Sequence, residues 1–363
     1  MLPKGKHKPY TAIDLFAGGG GLSVGLKRAG FNVVSAVEIE PHAFSTFKAN
    51  HPEVTAYRQD IRTVKGSSLR SLSPSGEIDL IAGCPPCQGF SSLTSKYKGR
   101  DDRNALVREI SRLAEEIRPR ALMMENVPGL MVKAKGRRYF NELLRNLKGL
   151  GYECTFDVLQ VADYGVPQSR RRLVLLAGHG FEIGLPDPTH ARGGKGGLRP
   201  WQSVSETIRH MSAPMTLDDA NAAGGPMAYN WHIVRTMALQ NRRRLECAKP
   251  GKGWSSIPKR LRPPCHKDRS AGFSNVYGRM SWDEVAPSIT GGCTTLSKGR
   301  FGHPDQPRTI SVREAALLQT FPQSYIFDTP YMEYACSIIG NALPCAFAEV
   351  LAASCIRAFK NER

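Results

Sequence analysis

The stretch Thr11-Ala12-Ile13-Asp14-Leu15-Phe16-Ala17-Gly18-Gly19-Gly20-Gly21-Leu22 decides the fold. Its first six residues form a short run of strand character, and a helical pattern from Leu22 to Ala29 ends at Gly30. Strand, glycine loop and helix start together let backbone N–H groups approach a nucleotide-like ligand. A glycine loop by itself also fits an ordinary tight turn, so the next strand has to decide between them. That strand, Val33-Val34-Ser35-Ala36-Val37, delivers Glu38 about 20 residues past the glycines, where such folds set an acid against a ribose hydroxyl. Glu40 is an equally placed rival, and either acid also suits a plain helix cap before the helix expected over 41–50. After a short extended segment, Asp60 and Ile61 are placed to meet an adenine amino group and ring face.

Working outward, Asp79-Leu80-Ile81-Ala82 reads as a buried strand that runs into Gly83-Cys84-Pro85-Pro86-Cys87-Gln88-Gly89-Phe90-Ser91. Two prolines fix φ and stiffen the turn that presents the cysteines. The carboxyl end of a parallel strand is where open α/β sheets place their ligands. Cys84-x-x-Cys87 also has zinc-ligand and thioredoxin-like spacing. The chain carries no second such pair, and the two intervening prolines oppose the redox reading, so no metal is expected. The polar segment 92–103 reads as a loop beside these cysteines, and 105–117 as a helix. Ala121-Leu122-Met123-Met124 is a buried strand that delivers Glu125-Asn126-Val127-Pro128. A carboxylate at the end of such a strand is costly unless it is paired or functional. A helix over 139–150 comes next, then two closing strands, 152–160 and 172–177, joined through Gln168-Ser169-Arg170-Arg171-Arg172. The alternation argues for a doubly wound α/β domain.

The 363 residues carry 50 Lys plus Arg against 32 Asp plus Glu, a formal net charge of +18 that favours a polyanionic partner. Nine cysteines at irregular spacings suit a reducing cytosol better than a secreted disulfide framework. The first ten residues lack the apolar core of a signal peptide, and no apolar run is read as a membrane span. From 184 to 308 glycine and proline are frequent and periodicity is weak. Arg242, Arg243 and Arg244 lie in a basic run interleaved with or flanked by Trp231, Trp254, Phe273, Tyr277 and Trp282, the footprint of a nucleic-acid-binding module. Regular structure returns with a helix over 311–319, with Ser311 as N-cap and Glu314 at the capping-box position. A last helix is expected over 344–358, after Gly340-Asn341-Ala342.

These motifs, taken in order, resemble the bacterial DNA (cytosine-5)-methyltransferases from nearly end to end. Asp14 to Gly20 resembles the family's cofactor loop, Pro86-Cys87-Gln88 its nucleophile motif and Glu125-Asn126-Val127 its acid motif. Gln168 to Arg172 resembles its arginine motif, and Arg313-Glu314-Ala315-Ala316 with Gln319 to Pro322 the helix supporting its recognition domain. Gly340-Asn341-Ala342 resembles its last motif, except that many members carry a small hydroxyl residue where Ala342 stands.

The resemblance implies a Rossmann-like S-adenosylmethionine-dependent methyltransferase domain over 1–183. A smaller, loop-rich target-recognition domain would occupy 184–308, and 309–363 would return to the catalytic domain. It implies S-adenosylmethionine as methyl donor, leaving as S-adenosylhomocysteine. The cofactor would lie on Phe16, Ala17, Gly18, Gly19, Gly20, Gly21, Leu22, Glu38, Ile39, Asp60, Ile61, Pro86, Leu106, Asn341 and Ala342. Cytosine C5 is a poor nucleophile until a thiolate adds at C6, which makes Cys87 the nucleophile and leaves Cys84 structural. Glu125 would relieve charge at N3, Arg172 would hold the base through O2, and Arg170 would meet a phosphate or a loop. The base must leave the duplex to be reached. Gln88, Ser91, Arg242, Arg243, Arg244, Arg279 and Thr290 are the residues expected to face double-stranded DNA.

A tRNA methyltransferase of the same fold would share Cys87 and Glu125 but would not need so large a basic insert. A dinucleotide oxidoreductase would not explain the cysteine and acid motifs, and a silent DNA-binding protein would explain only the charge. A cytoplasmic, nucleoid-associated monomer is expected, without a membrane, and with restriction or phage-defence proteins as its biological setting.

Overall fold

The computed structural model describes residues 9–86, 105–267 and 274–362. Contacts divide the chain into two units: residues 1–159, 171–187 and 345–363, and residues 160–170 and 188–344. Besides 188–308, the second unit thus takes in 160–170 and 309–344. Hydrogen bonds from Arg170 and Gln319 to backbone carbonyls of that unit, and from Ile289 N–H to Gln168, draw these segments into it.

The first unit is built on a seven-stranded sheet. Its strands are β1 (Thr11–Leu15), β2 (Asn32–Val37), β3 (Thr55–Tyr57), β4 (Leu80–Gly83), β5 (Ala121–Asn126), β6 (Tyr152–Gln160) and β7 (Arg171–His179), in the order β3-β2-β1-β4-β5-β7-β6. The first five are parallel, and β7 runs antiparallel to β5. Sequence order reverses between β1 and β4, which makes that edge a switch point where α/β sheets bind ligands. The central strands are buried end to end because helices cover both faces, and their near-continuous apolar runs reflect this.

Helices α1 (Gly21–Ala29), α2 (Pro41–Asn50), α3 (Val107–Ile117) and α4 (Ala134–Gly149) alternate with the strands, and α7 (Cys345–Asn361) closes the unit. In α3 the buried Val107, Ile110, Leu113, Ala114 and Ile117 recur at helical spacing. Arg112 bridges Glu109 and Glu116 on its outer side. Helix α4 begins five residues before the expected Tyr139. Its first turns are mostly polar, but Gly136 lets the backbone pass close to the carbonyls of Gly129 and Leu130. Gly25 serves α1 in the same way: a Cβ there would collide with Ala348 and the backbone of α7. Residues 332–361 are long and apolar enough to cross a membrane, contrary to the sequence reading, but they are mostly buried. They also form two helices, α6 (Met332–Asn341) and α7, parted at 342–344.

The second unit has little regular structure. Helix α5 (Val312–Leu318) carries the expected capping box of Ser311 and Glu314. Arg308 holds Glu314 with two bonds of 2.8 Å. Trp231 is buried and donates to the Phe327 carbonyl at 3.0 Å. Trp254, Ile257 and Val276 form a separate small core, with Tyr277 packed against it.

Candidate active site

The ends of β1, β2 and β3 are tied together by backbone bonds. Ala17 N–H donates to Val37 O and Glu38 N–H to Tyr57 O, both at 3.0 Å. The chain turns sharply after β1, with Phe16, Gly18 and Gly20 all at positive φ. For a phenylalanine that conformation is rare and strained, as is common at binding turns. Open space lies where a Cβ on Gly18 would project.

The structure separates the two rival acids. Glu38 points back at the glycine loop, where Oε2 accepts from Gly18 N at 2.7 Å and Oε1 from Ile39 N at 2.9 Å and Glu40 N at 2.7 Å. Burial raises its pKa above the ordinary value, against the pull of these three bonds. Glu40 instead caps α2, accepting from Ala43 N at 2.6 Å. Ile39 is 60% exposed beside Glu38. Asp60 caps a short turn and pairs with Arg62, which lowers its pKa. The side chains of Ile61 and Leu22 point into the core, so only their backbone can serve the site. Ala17, Gly19, Gly20 and Gly21 are buried, while Pro86 and Leu106 are half-buried. An open glycine turn, an acid aimed at it and an exposed aliphatic side chain next to that acid fit a nucleoside-bearing cofactor such as S-adenosylmethionine.

One strand further along the sheet edge lies a row of reactive groups. Asp14 stands opposite Ala82, and Gly83 stands opposite both Leu15 and Met124. Asp14, Cys84 and Glu125 therefore reach the same edge from three neighbouring strands. Asp14 is fully buried; Ser23 Oγ donates to its Oδ2 at 2.7 Å, and among the described residues Oδ1 has no hydrogen-bond partner. Burial pushes its pKa from 3.8 up to about 7. Glu125 Oε1 pairs with Arg172 Nε at 2.6 Å, and both side chains are nearly buried. Arg172 Nη1 also donates to the Arg171 carbonyl at 2.8 Å, which restricts the guanidinium. Asn126 Nδ2 donates to the Pro85 carbonyl at 3.1 Å, bracing the turn before Cys87. Cys87, Gln88, Ser91 and the loop expected over 92–103 lie outside the described residues, as does Phe273.

The arginines are placed as follows. Arg170 is buried, and donates to the carbonyls of Ile289 at 2.6 Å, Gly340 at 3.1 Å and Ala342 at 3.4 Å, a loop contact, the second of the two roles expected for it. Arg244 is buried on the Leu261 carbonyl and Asn241, and Arg279 on the carbonyls of Leu245 and Pro304. Both side chains are turned inward: in a segment with few ladders, long guanidinium stems satisfy carbonyls that would otherwise be buried unpaired. Arg242 and Arg243 remain exposed, the former beside Glu246 at 3.4 Å. Thr290 is half-buried, and its Oγ1 accepts from Gly292 N at 3.4 Å. Asn341 is exposed at the end of α6. Two aromatic residues of the basic segment, Trp231 and Trp254, are buried, and Tyr277 and Trp282 are half-buried; His266 stacks on Trp254 at 4.7 Å and Arg262 lies over its ring at 5.2 Å.

Sequence reasoning gave no role to Gln168 and Gln319. Gln168 Nε2 donates to Gln319 Oε1 at 2.8 Å, and its Oε1 accepts from Ile289 N at 2.8 Å. Gln319 Nε2 donates to the Ile339 carbonyl at 2.6 Å. Both lie in motifs that the sequence reveals, but pairing over about 150 positions leaves no local pattern to read.

Comparison with known proteins identifies the family. The model of C-5 cytosine-specific DNA methylases matches residues 10–357. The Type II methylase M.HgiDII of Herpetosiphon aurantiacus is 37% identical over 95% of this chain and 94% of its own length. The Type II methyltransferase M1.HphI of Haemophilus parahaemolyticus is 32% identical over 97% and 88%. Among solved structures, a protein encoded within an Escherichia coli prophage shares the fold at a TM-score of 0.73 and 22% identity, over 97% of this chain and 99% of its own. Spodoptera frugiperda DNMT2 does so at 0.63 and 18%, over 96% and 99%. The chain belongs to the C-5 cytosine-specific DNA methylase family.

Proposed function

We propose that Cys87, Glu125 and Arg172 carry out methyl transfer to C5 of a cytosine turned out of duplex DNA. The carrying observation is the Arg172–Glu125 pair, 2.6 Å apart at the ends of β5 and β7 on the ligand-binding edge of the sheet. Members of this family are DNA (cytosine-5)-methyltransferases, and their methyl donor is S-adenosylmethionine, which supplies an electrophilic methyl group. Gly18, Glu38 and Ile39 would hold it, the acid on the ribose hydroxyls and the aliphatic side chain on the adenine.

The Cys87 thiolate adds to C6, and the electron pair of the C5–C6 double bond moves into the ring towards N3. Glu125 meets that charge by donating a proton or a strong hydrogen bond. Arg172, already held by Glu125 and the Arg171 carbonyl, is suited to bind the base at O2. C5 takes the methyl carbon and then gives its proton to a base such as a water; that C–H electron pair re-forms the C5–C6 double bond as the S–C6 bond breaks, which frees the Cys87 thiolate, and any proton taken up at N3 returns to Glu125. Exposed cations such as Arg242 and Arg243 serve phosphate contact. Relatives named as Type II methylases support a place in the cytoplasm beside a restriction activity, with protection of host DNA as the outcome.

Duplex DNA with 5-fluorocytosine at the target tests the assignment. Fluorine cannot leave as a cation, so the methylated adduct has no elimination route and the protein stays attached. A denaturation-resistant complex is expected only with S-adenosylmethionine, and Cys87→Ser should abolish it because a hydroxyl is far less ionised than a thiol. Trapping that survives Cys87→Ser would refute the assignment, and equal trapping on RNA would refute duplex DNA as the substrate.

A further inference from the structure

The reaction above gives no part to Cys84, although it stands three residues before the nucleophile and against the acid. Parallel pairing sets Gly83 opposite Met124, so Cys84 and Glu125 leave the sheet side by side. The main chain around Cys84 is pinned on both sides. Its N–H donates to the Leu15 carbonyl at 3.4 Å, and the next carbonyl, Pro85, accepts from Asn126 at 3.1 Å. The thiol thereby stands beside the Glu125 carboxyl, on the neighbouring strand. From the other side Arg172 Nε holds Oε1 at 2.6 Å. A single donor fixes one oxygen but leaves the carboxyl free to rotate, and a second donor stops that rotation.

We propose that Cys84 is a positioning residue for Glu125: its S–H donates to the carboxyl and, together with Arg172, sets the orientation in which the acid meets N3 of the cytosine. The proposal rests on the reading of Glu125 as that acid. A donor must keep its proton. Burial pushes the Cys84 thiol well above the ordinary range, and the charges of Glu125 and Asp14 push it the same way, against Arg172. For the same reason Cys84 is a poor nucleophile, since attack requires the thiolate. Among the described residues, the charged and titratable groups facing this pair are Arg172 from β7 and Asp14 from β1, with Glu38 acting on Asp14 in turn.

The test is methyl incorporation into DNA by the full chain as wild type, Cys84→Ala and Cys84→Ser across a pH series. A thiol is a weak donor, so Cys84→Ala should lower kcat by about three- to tenfold, with KM for DNA and for S-adenosylmethionine unchanged. Losing a donor to the carboxylate should move the alkaline limb of kcat to higher pH. Cys84→Ser, a stronger donor, should restore kcat and move the limb below that of the wild type. Wild-type kcat and an unmoved limb in Cys84→Ala overturn the proposal, as does a serine variant that rescues nothing. Should the alanine chain fail to fold, Cys84→Ser decides alone, and an unmoved limb overturns the proposal. A wild-type chain that puts no methyl on DNA, or a fully active Glu125→Gln, overturns the functional reading itself. Failure of Cys84 alone leaves that reading intact.

Discussion

Replacing Asp14 by asparagine should make the protein more stable at neutral and alkaline pH. The carboxyl is fully buried, Ser23 Oγ donates to its Oδ2, Oδ1 has no hydrogen-bond partner among the described residues, and its pKa moves from 3.8 to about 7. The folded state therefore binds the proton more tightly than the unfolded state, and stability falls as pH rises through the window from about 4 to 7. Above that window the full penalty is about three pH units of binding, or about 4 kcal/mol. About 2.5 kcal/mol of it should develop between about pH 5 and about pH 8, because part of the titration precedes pH 5. Asparagine does not titrate and is nearly the same size. Both chains share every other titrating group, so their difference isolates this one. Urea unfolding of the two chains at both pH values gives it directly, since equal m-values make the midpoints comparable. A difference that stays constant between the two pH values would refute the burial argument. Activity is expected to fall in the stabilised variant, since a buried charge this costly is kept where the site uses it.

Glu38→Ala should weaken S-adenosylmethionine binding about ten- to a hundredfold by calorimetry, the worth of a lost charge-assisted hydrogen bond. Glu40→Ala should cost only a helix cap, about 1 kcal/mol of stability, with cofactor affinity unchanged, and the reverse pattern would exchange the two roles. Neutralising exposed Arg242 and Arg243 should flatten the salt dependence of DNA binding, by about one unit of slope for each phosphate that no longer meets a cation. Arg244→Ala should instead lower the melting temperature, because its guanidinium holds the Leu261 carbonyl. Equal slope changes at all three positions would contradict the burial of Arg244.

The parallel sheet was legible because its strands carry near-continuous apolar runs and end in glycine, proline or acid at one edge. The helix at 311–319 was legible because its capping box is local. Features that depend on direction and distance were not legible. Glu38 and Glu40 differ by two positions in an extended chain, and only the coordinates tell that one faces the glycine turn and the other the start of α2. Ile61 sits next to Asp60 in the expected cofactor segment, but its side chain faces inward. The tryptophans of the basic segment look like a stacking surface in sequence, because core and surface aromatics share a composition. Gln168 and Gln319 meet only after the chain has folded back.

The basic charge needs the same separation. A net +18 looks like one long contact surface for a polyanion, but the structure divides the cations into two kinds. Arg170, Arg244, Arg279 and Arg313 are buried and bonded to backbone carbonyls. Burial lowers the pKa of Arg313 only to about 10, so it keeps its charge at neutral pH. A guanidinium whose donors are spent on carbonyls is expected to release no counterion from DNA and to leave the slope of affinity against salt unchanged. Its field is still felt at the surface and adds to the attraction that brings a polyanion to the protein. The two effects respond to different substitutions. Exposed arginines set both the association rate and the number of ions released. Buried ones set the rate alone, while holding together a unit that has few ladders of its own.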